Sequence, residues 1–417
     1  MTKDWIHHTN IYEVNLRQYT KEGSFQAFAA HLPRLKEMGV QTLWFMPVTP
    51  ISKKEMKGSM GSYYACSDYV SVNPEFGTLE HFKSLVDDAH HHGFKVIIDW
   101  VANHTGWDHV WTVQHPEWYE KDEVTGDFKK ASGMDDIIEL DYRNAEMRKA
   151  MTEAMKFWVK QCDIDGFRCD LAFWVEPEFW MEAIPEVNQL KPLFWLAEME
   201  PSEHPDYMQV FDAAYAWSWM HKTEEWYRHQ LPVEELIKML AKYQKVPGLK
   251  AWFTSNHDEN SWNGSEYEKY GEAALPLAVH SCTWPGIPLI YSGQEIPNKK
   301  RLEFFDKDPI EWNGNYELEA FYHKLLSLKQ HAPALHAHAE VYRLHTTADS
   351  NVFSYLRKKE NSEVLVMLNL SSHLVRFDLK DSWVQGNFRE LFTGIENDFS
   401  VHKNFEMEGW AYRVYQR

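Results

Sequence analysis

At 417 residues the chain exceeds one average domain, so two or three domains are expected. Hydrophobic residues at 44% and charged residues at 25% exclude extended disorder. The net charge of −19 excludes a sequence-independent grip on nucleic acid, which needs Lys and Arg to displace counterions from phosphates. Along the chain, short β-branched and aromatic runs alternate with amphipathic helical stretches. Strands are predicted over residues 11–19, 40–47 and 94–101, with helices over 25–38 and 79–92 between them. A helix over 144–161 follows, then strands over 164–169, 193–198, 210–214, 251–255 and 288–291. Eight strands in strand–helix order predict a closed α/β barrel, the (β/α)8 TIM barrel, whose active site lies at the C-terminal strand ends.

The connection between the third strand and the third helix is too long for this pattern and is read as a short inserted domain over residues 105–140. The barrel then occupies residues 1–104 and 141–334. Beyond it, alternating runs over 352–357, 363–370, 374–379 and 410–415 predict a C-terminal antiparallel β-sandwich over 335–417. Cys66, Cys162, Cys169 and Cys282 form no CxxC pair and read as buried thiols. No uncharged apolar stretch reaches the length of a bilayer span, so no membrane partner is expected. The N-terminus has no signal-peptide run, which places the chain as given in the cytoplasm, with a periplasmic or secreted location open if a leader has been removed.

Polar residues collect where the barrel strands end. Asp99, Asn103 and His104 follow the third strand, Arg168 and Asp170 the fourth, Glu198 the fifth, and Asn256, His257 and Asp258 the seventh. One Asp at such a place could simply cap the next helix. Three carboxylates converging beside an arginine and two histidines instead suit glycosidic cleavage, in which one carboxyl protonates the leaving oxygen and another meets the oxocarbenium-like carbon. The aromatic content, 15% with 19 Trp, also suits neutral sugars, which stack on aromatic faces, although many of these rings will belong to the core.

The segments Asp99-Trp-Val-Ala-Asn-His104, Gly166-Phe-Arg-Cys-Asp170, Leu196-Ala-Glu198 and Ser255-Asn-His-Asp258 resemble, in order, the four catalytic signatures of the α-amylase superfamily of glycoside hydrolases. Tyr64-Ala-Cys-Ser-Asp68-Tyr69, Pro47 and Gly286-Ile-Pro-Leu-Ile-Tyr-Ser-Gly-Gln-Glu295 extend the resemblance over the whole chain. It implies a retaining enzyme that cuts internal α-1,4 bonds of starch- or glycogen-type glucans and maltooligosaccharides. In that reading Asp170 is the nucleophile, Glu198 the proton donor and later base, and Asp258 the residue that orients the sugar hydroxyls. Arg168 would hold Asp170 ionised, His104 and His257 would donate hydrogen bonds to the sugar at the cleavage point, and Tyr64 would stack beneath that ring.

Departures from the family pattern carry their own expectations. Phe173 and Trp174 stand where Lys or His is common, which makes the leaving side more apolar. Trp174 is expected as a platform there, unless it packs under the next helix and Phe173 takes its place. Glu200, two residues past the acid, reads as a solvated loop charge. The resemblance also leaves a structural Ca2+ open, with Asn103 offering an amide oxygen and Asp135, Asp136, Glu139 and Asp141 as further candidates; acidic loops are as readily just solvated. No organic cofactor is implied. The first strand begins so near residue 1 that no N-terminal β-module is expected, which favours an α-amylase over a cyclomaltodextrinase or neopullulanase, an exo-acting α-glucosidase or a glucan transferase.

Overall fold

The computed structural model describes residues 3–417; residues 1 and 2 of the span assigned to the barrel lie outside the described residues. Eight parallel strands close into a barrel: β1 (Ile11–Val14), β2 (Thr42–Phe45), β3 (Lys95–Trp100), β4 (Gly166–Cys169), β5 (Phe194–Ala197), β6 (Ala213–Tyr215), β7 (Leu249–Trp252) and β8 (Ile287–Tyr291). Each strand pairs with its neighbours in sequence, and Ile11 opposite Leu289 closes the ring. Nearly every strand residue is buried, which is why the strands read as continuous apolar runs rather than alternating ones.

Local chemistry sets the ends of these elements. The predicted strand over 11–19 stops at Val14, and Leu16–Tyr19 turns into a short helix. The single predicted helix over 25–38 is two, Phe25–Ala29 and Leu32–Met38, the second carrying Pro33 in its first turn, where a missing N–H costs nothing. Leu79–His91 begins in a capping box built by Thr78 and His81, and Ala145–Cys162 begins at Asn144, whose side chain accepts from the Glu146 and Met147 amides. At the start of β4 only glycine fits: a Cβ on Gly166 would lie 2.1 Å from the Phe194 carbonyl oxygen on β5.

Residues between β3 and the Ala145–Cys162 helix form a hairpin of His104–Gly106 with Ile137–Glu139 and a short helix, Val110–Gln114. Trp111 packs there against Tyr69, His109 and Trp118. After the last barrel helix, Glu319–His331, a six-stranded antiparallel sheet faces a two-stranded one made of Val375–Asp378 and Asn404–Met407. Leu356, Leu365, Met367, Phe377, Phe399 and Tyr415 fill the space between them. Buried Arg357 ties this domain to the barrel by donating to the Thr283 carbonyl at 2.7 Å, and it braces the entry to the domain by donating to the His336 carbonyl at 2.9 Å. The four cysteines are buried and unpaired with one another. No helix among the described residues is long and apolar enough to cross a membrane.

Candidate active site

Side chains on a strand alternate, so Arg168 and Asp170 project from the same face of the chain at the end of β4, into the barrel mouth. Arg168 is fully buried. Its Nη1 lies 2.9 Å from Asp99 and 2.8 Å from Asp170, its Nη2 lies 2.8 Å from Glu198, and its Nε donates to the Tyr215 hydroxyl at 3.2 Å. One guanidinium therefore grips three carboxylates from three adjacent strands. The resemblance implied for it only the role of holding Asp170 ionised; Asp99 and Glu198 share the same grip.

The chain leaves Asp170 through Leu171, held in the left-handed region at φ 38°, a conformation a branched side chain adopts only at a cost of about 1–3 kcal/mol. That turn aims the Leu171 N–H at Glu198 Oε2, 2.8 Å away. Nucleophile and acid candidates are thus coupled twice, through Arg168 and through a strained backbone amide.

On the opposite wall His257 is buried between two carboxylates. Its Nδ1 lies 2.5 Å from Glu13, and its Nε2 lies 3.2 Å from Asp258 and 2.6 Å from the Tyr64 hydroxyl. Burial opposes a charge on this ring, but Asp258 and Glu13 outweigh it and raise its pKa well above 6.5. With both nitrogens protonated, His257 donates to Glu13 and to Tyr64, and the Tyr64 hydroxyl donates onward to Asp99 at 3.1 Å. The Tyr64 ring lies parallel to that of His257, 5.4 Å away at 19°.

Burial is also the largest influence on the carboxylates. It raises Glu198 to about 8, against the pull of Arg168 and with the help of Asp170 and Asp258. It raises Asp170 to about 6, where Arg168 restrains the shift. Asp258 also resists burial, but the His257 imidazolium and its hydrogen bond hold this carboxyl below the ordinary range. Three acids within one cluster are therefore pushed apart, which assigns ionised and protonated roles. His104 is neutral, its pKa lowered to about 4 by burial, and its Nε2 has no protein partner. The rate profile kcat/KM against pH will accordingly be a bell, rising as the Asp170 side of the cluster ionises near 6 and falling as Glu198 loses its proton near 8, both values belonging to the coupled cluster. A rate still climbing at about pH 9 would contradict a protonated Glu198.

Every residue picked out at the cleavage point is brought to this mouth. Trp174 is half-buried with its ring 6.4 Å from that of His104, while Phe173 turns away to stack on His204 at 4.8 Å and 20°. One expectation is corrected. Glu200 is not a solvated loop charge: it is buried and accepts from the Ser202 and Ser218 amides, at 3.1 and 2.7 Å, and from the Tyr243 hydroxyl at 2.6 Å, pinning the loop after β5 to the next helix. Glu13 was missed. The signal was a lone acid inside the apolar run of β1, since a charge buried in a barrel strand needs a partner.

The oxygens considered for Ca2+ form no cage. Asp135 pairs with Lys130 at 2.6 Å, Asp136 with Lys57 at 2.7 Å, Glu139 with Lys129 at 2.8 Å, and Asp141 with Arg143 at 2.7 Å. Each acid has its own cation, and among the described residues no three His, Cys, Asp or Glu side chains gather to hold a metal. The Asn103 amide nitrogen lies 3.4 Å from His104 Nδ1. These residues do not fit an ion that takes six to eight oxygens.

Residues 8–128 and 112–215 match the family described as the catalytic domain of α-amylase, and residues 342–413 match the C-terminal domain of maltogenic amylase. Among solved structures, the maltogenic α-amylase AmyB of Thermotoga neapolitana is 28% identical, with 99% of each chain covered and a TM-score of 0.90. An α-amylase from Lactobacillus plantarum is 27% identical, with both chains fully covered and a TM-score of 0.88. The α-amylase MalA of Haloarcula japonica is 27% identical over an alignment of 396 residues that covers 88% of this chain and 56% of that protein, so the chain spans a little over half the length of this curated relative.

Proposed function

The chain belongs to the α-amylase superfamily of glycoside hydrolases, and from that premise we propose that it cleaves internal α-1,4-glucosidic bonds of starch-type glucans and maltooligosaccharides with retention of configuration. The observation that carries this reading is the Arg168 clamp, which sets a restrained Asp170 beside a proton-holding Glu198. In the first displacement Asp170 attacks the anomeric carbon while Glu198 gives its proton to the leaving oxygen. In the second, Glu198 takes a proton from water, which attacks the same carbon and releases Asp170. Asp258, held in place by His257, and the unspent Nε2 of His104 hydrogen-bond the hydroxyls of the ring being cut. Trp174 lines the leaving side beside His104.

One observation favours a second reading. The match to the C-terminal domain of maltogenic amylase favours an enzyme that releases maltose, and the likeness to a cyclomaltodextrinase one that also opens cyclodextrins, over one that makes random long cuts. Side-by-side chromatography of early products from starch, pullulan, cyclodextrin and maltotriose separates the two. Internal cleavage predicts that iodine staining and viscosity of starch fall long before reducing ends approach their final level. Staining that falls only in step with released maltose or glucose would exclude the internal mode, and faster turnover of cyclodextrin than of starch would establish the second reading.

A further inference from the structure

Directly after Asp258 the chain makes a π-helical turn, Glu259–Asn263. Such turns are rare and concentrate at functional sites, because the wider coil costs hydrogen-bond geometry. Here the turn is fastened from several directions. Glu259 forms a buried ion pair with Lys269 at 2.8 Å and accepts from the Asn263 amide at 3.0 Å. Asn260 donates to the Lys300 carbonyl at 3.0 Å and accepts from the Leu302 amide at 2.9 Å, while Ser261 donates to the Leu302 carbonyl at 2.7 Å. Gly264 ends the turn at φ 128°. Burying an ion pair is costly, so the presented residue is the place to look for a return.

That residue is Trp262, 53% exposed, the most exposed tryptophan among the described residues. Its ring rests on Phe304 at 5.2 Å and Phe305 at 5.7 Å, and its side chain helps, as the least of several influences, to hold the Asp258 carboxyl below the ordinary range. Phe304 in turn lies parallel to Tyr64, 6.2 Å away at 19°. An aromatic surface therefore runs without a break from the cleavage point to solvent. Its side of the cleft follows from the acid. Glu198 must face the leaving oxygen, so the leaving group lies against the β4–β5 wall with Leu171 and Trp174, and Trp262 stands across the mouth, after β7. We propose that Trp262 is the stacking platform for the glucose unit next to the one being cut, on the retained, non-reducing side, and that it makes a two-glucose unit the preferred donor.

The inference rests on the glucan-cleaving reading, and the test keeps the two apart. Trp262→Ala and Trp262→Phe are compared with the parent on an aryl α-maltoside, which reaches the platform, and on an aryl α-glucoside, which does not. Trp262→Ala should lose about tenfold more in kcat/KM on the maltoside, mainly through KM, than on the glucoside, whose loss reads only the influence of the ring on Asp258. Trp262→Phe, which keeps a ring, should recover most of the loss. Equal losses on both substrates would place the effect on Asp258 and overturn the platform, as would no loss on either or a Phe variant as poor as Ala. A parent inactive on both aryl glycosides and on starch would instead refute the glucan-cleaving reading itself.

Discussion

Asp170→Asn is expected to lower kcat on soluble starch by about 10^4-fold or more, because it removes the attacking charge without changing the shape of the side chain. Glucan binding and the thermal midpoint should change little. Arg168 keeps two of its three carboxylate partners, Asp99 and Glu198, so the clamp does not collapse. Activity within tenfold of the parent would remove Asp170 from the role of nucleophile.

Glu198→Gln is expected to cost on the order of 10^2–10^4-fold on starch, the range of general acid catalysis, and far less in the first step on an aryl glycoside with a good leaving group. Starch releases a sugar alkoxide that must be protonated as the bond breaks. An activated phenolate leaves unaided. The proton at risk is the one that burial, Asp170 and Asp258 hold on Glu198 up to about pH 8, and an amide cannot supply it. The deficit should therefore grow with leaving-group pKa. Equal losses on starch and on the activated glycoside would point to another acid.

The barrel was legible because buried parallel strands are short apolar runs and their helices carry strong start signals, such as Thr78 and Asn144. The catalytic carboxylates were legible because they sit at strand ends, where a periodic pattern stops and a polar residue follows. Contacts made only by barrel closure were not. Glu13 and His257 are 244 residues apart and meet because β1 and β7 both border β8. The reach of Arg168 to Glu198 depends on the strand stagger, and the role of Glu200 depends on Tyr243, 43 residues away on a separate helix. In the C-terminal domain, Asn387–Glu390 and the edge strand Glu396–Asp398 escaped notice because they are short, partly exposed segments with at most one large apolar residue each. The π-helical turn has no sequence signature; five fastening contacts create it, and each looks ordinary alone.

Retention of configuration is the most exposed consequence of the proposed double displacement, in which Asp170 and Glu198, gripped by one guanidinium, act as nucleophile and acid rather than as the wider pair that admits a water between acid and base. Proton NMR of products from maltooligosaccharide cleavage, recorded before mutarotation equilibrates them, reads the configuration at the new reducing end. The α-anomer should appear first, with the β-anomer growing in only at the rate of spontaneous mutarotation. A first-formed β-anomer would contradict the double displacement.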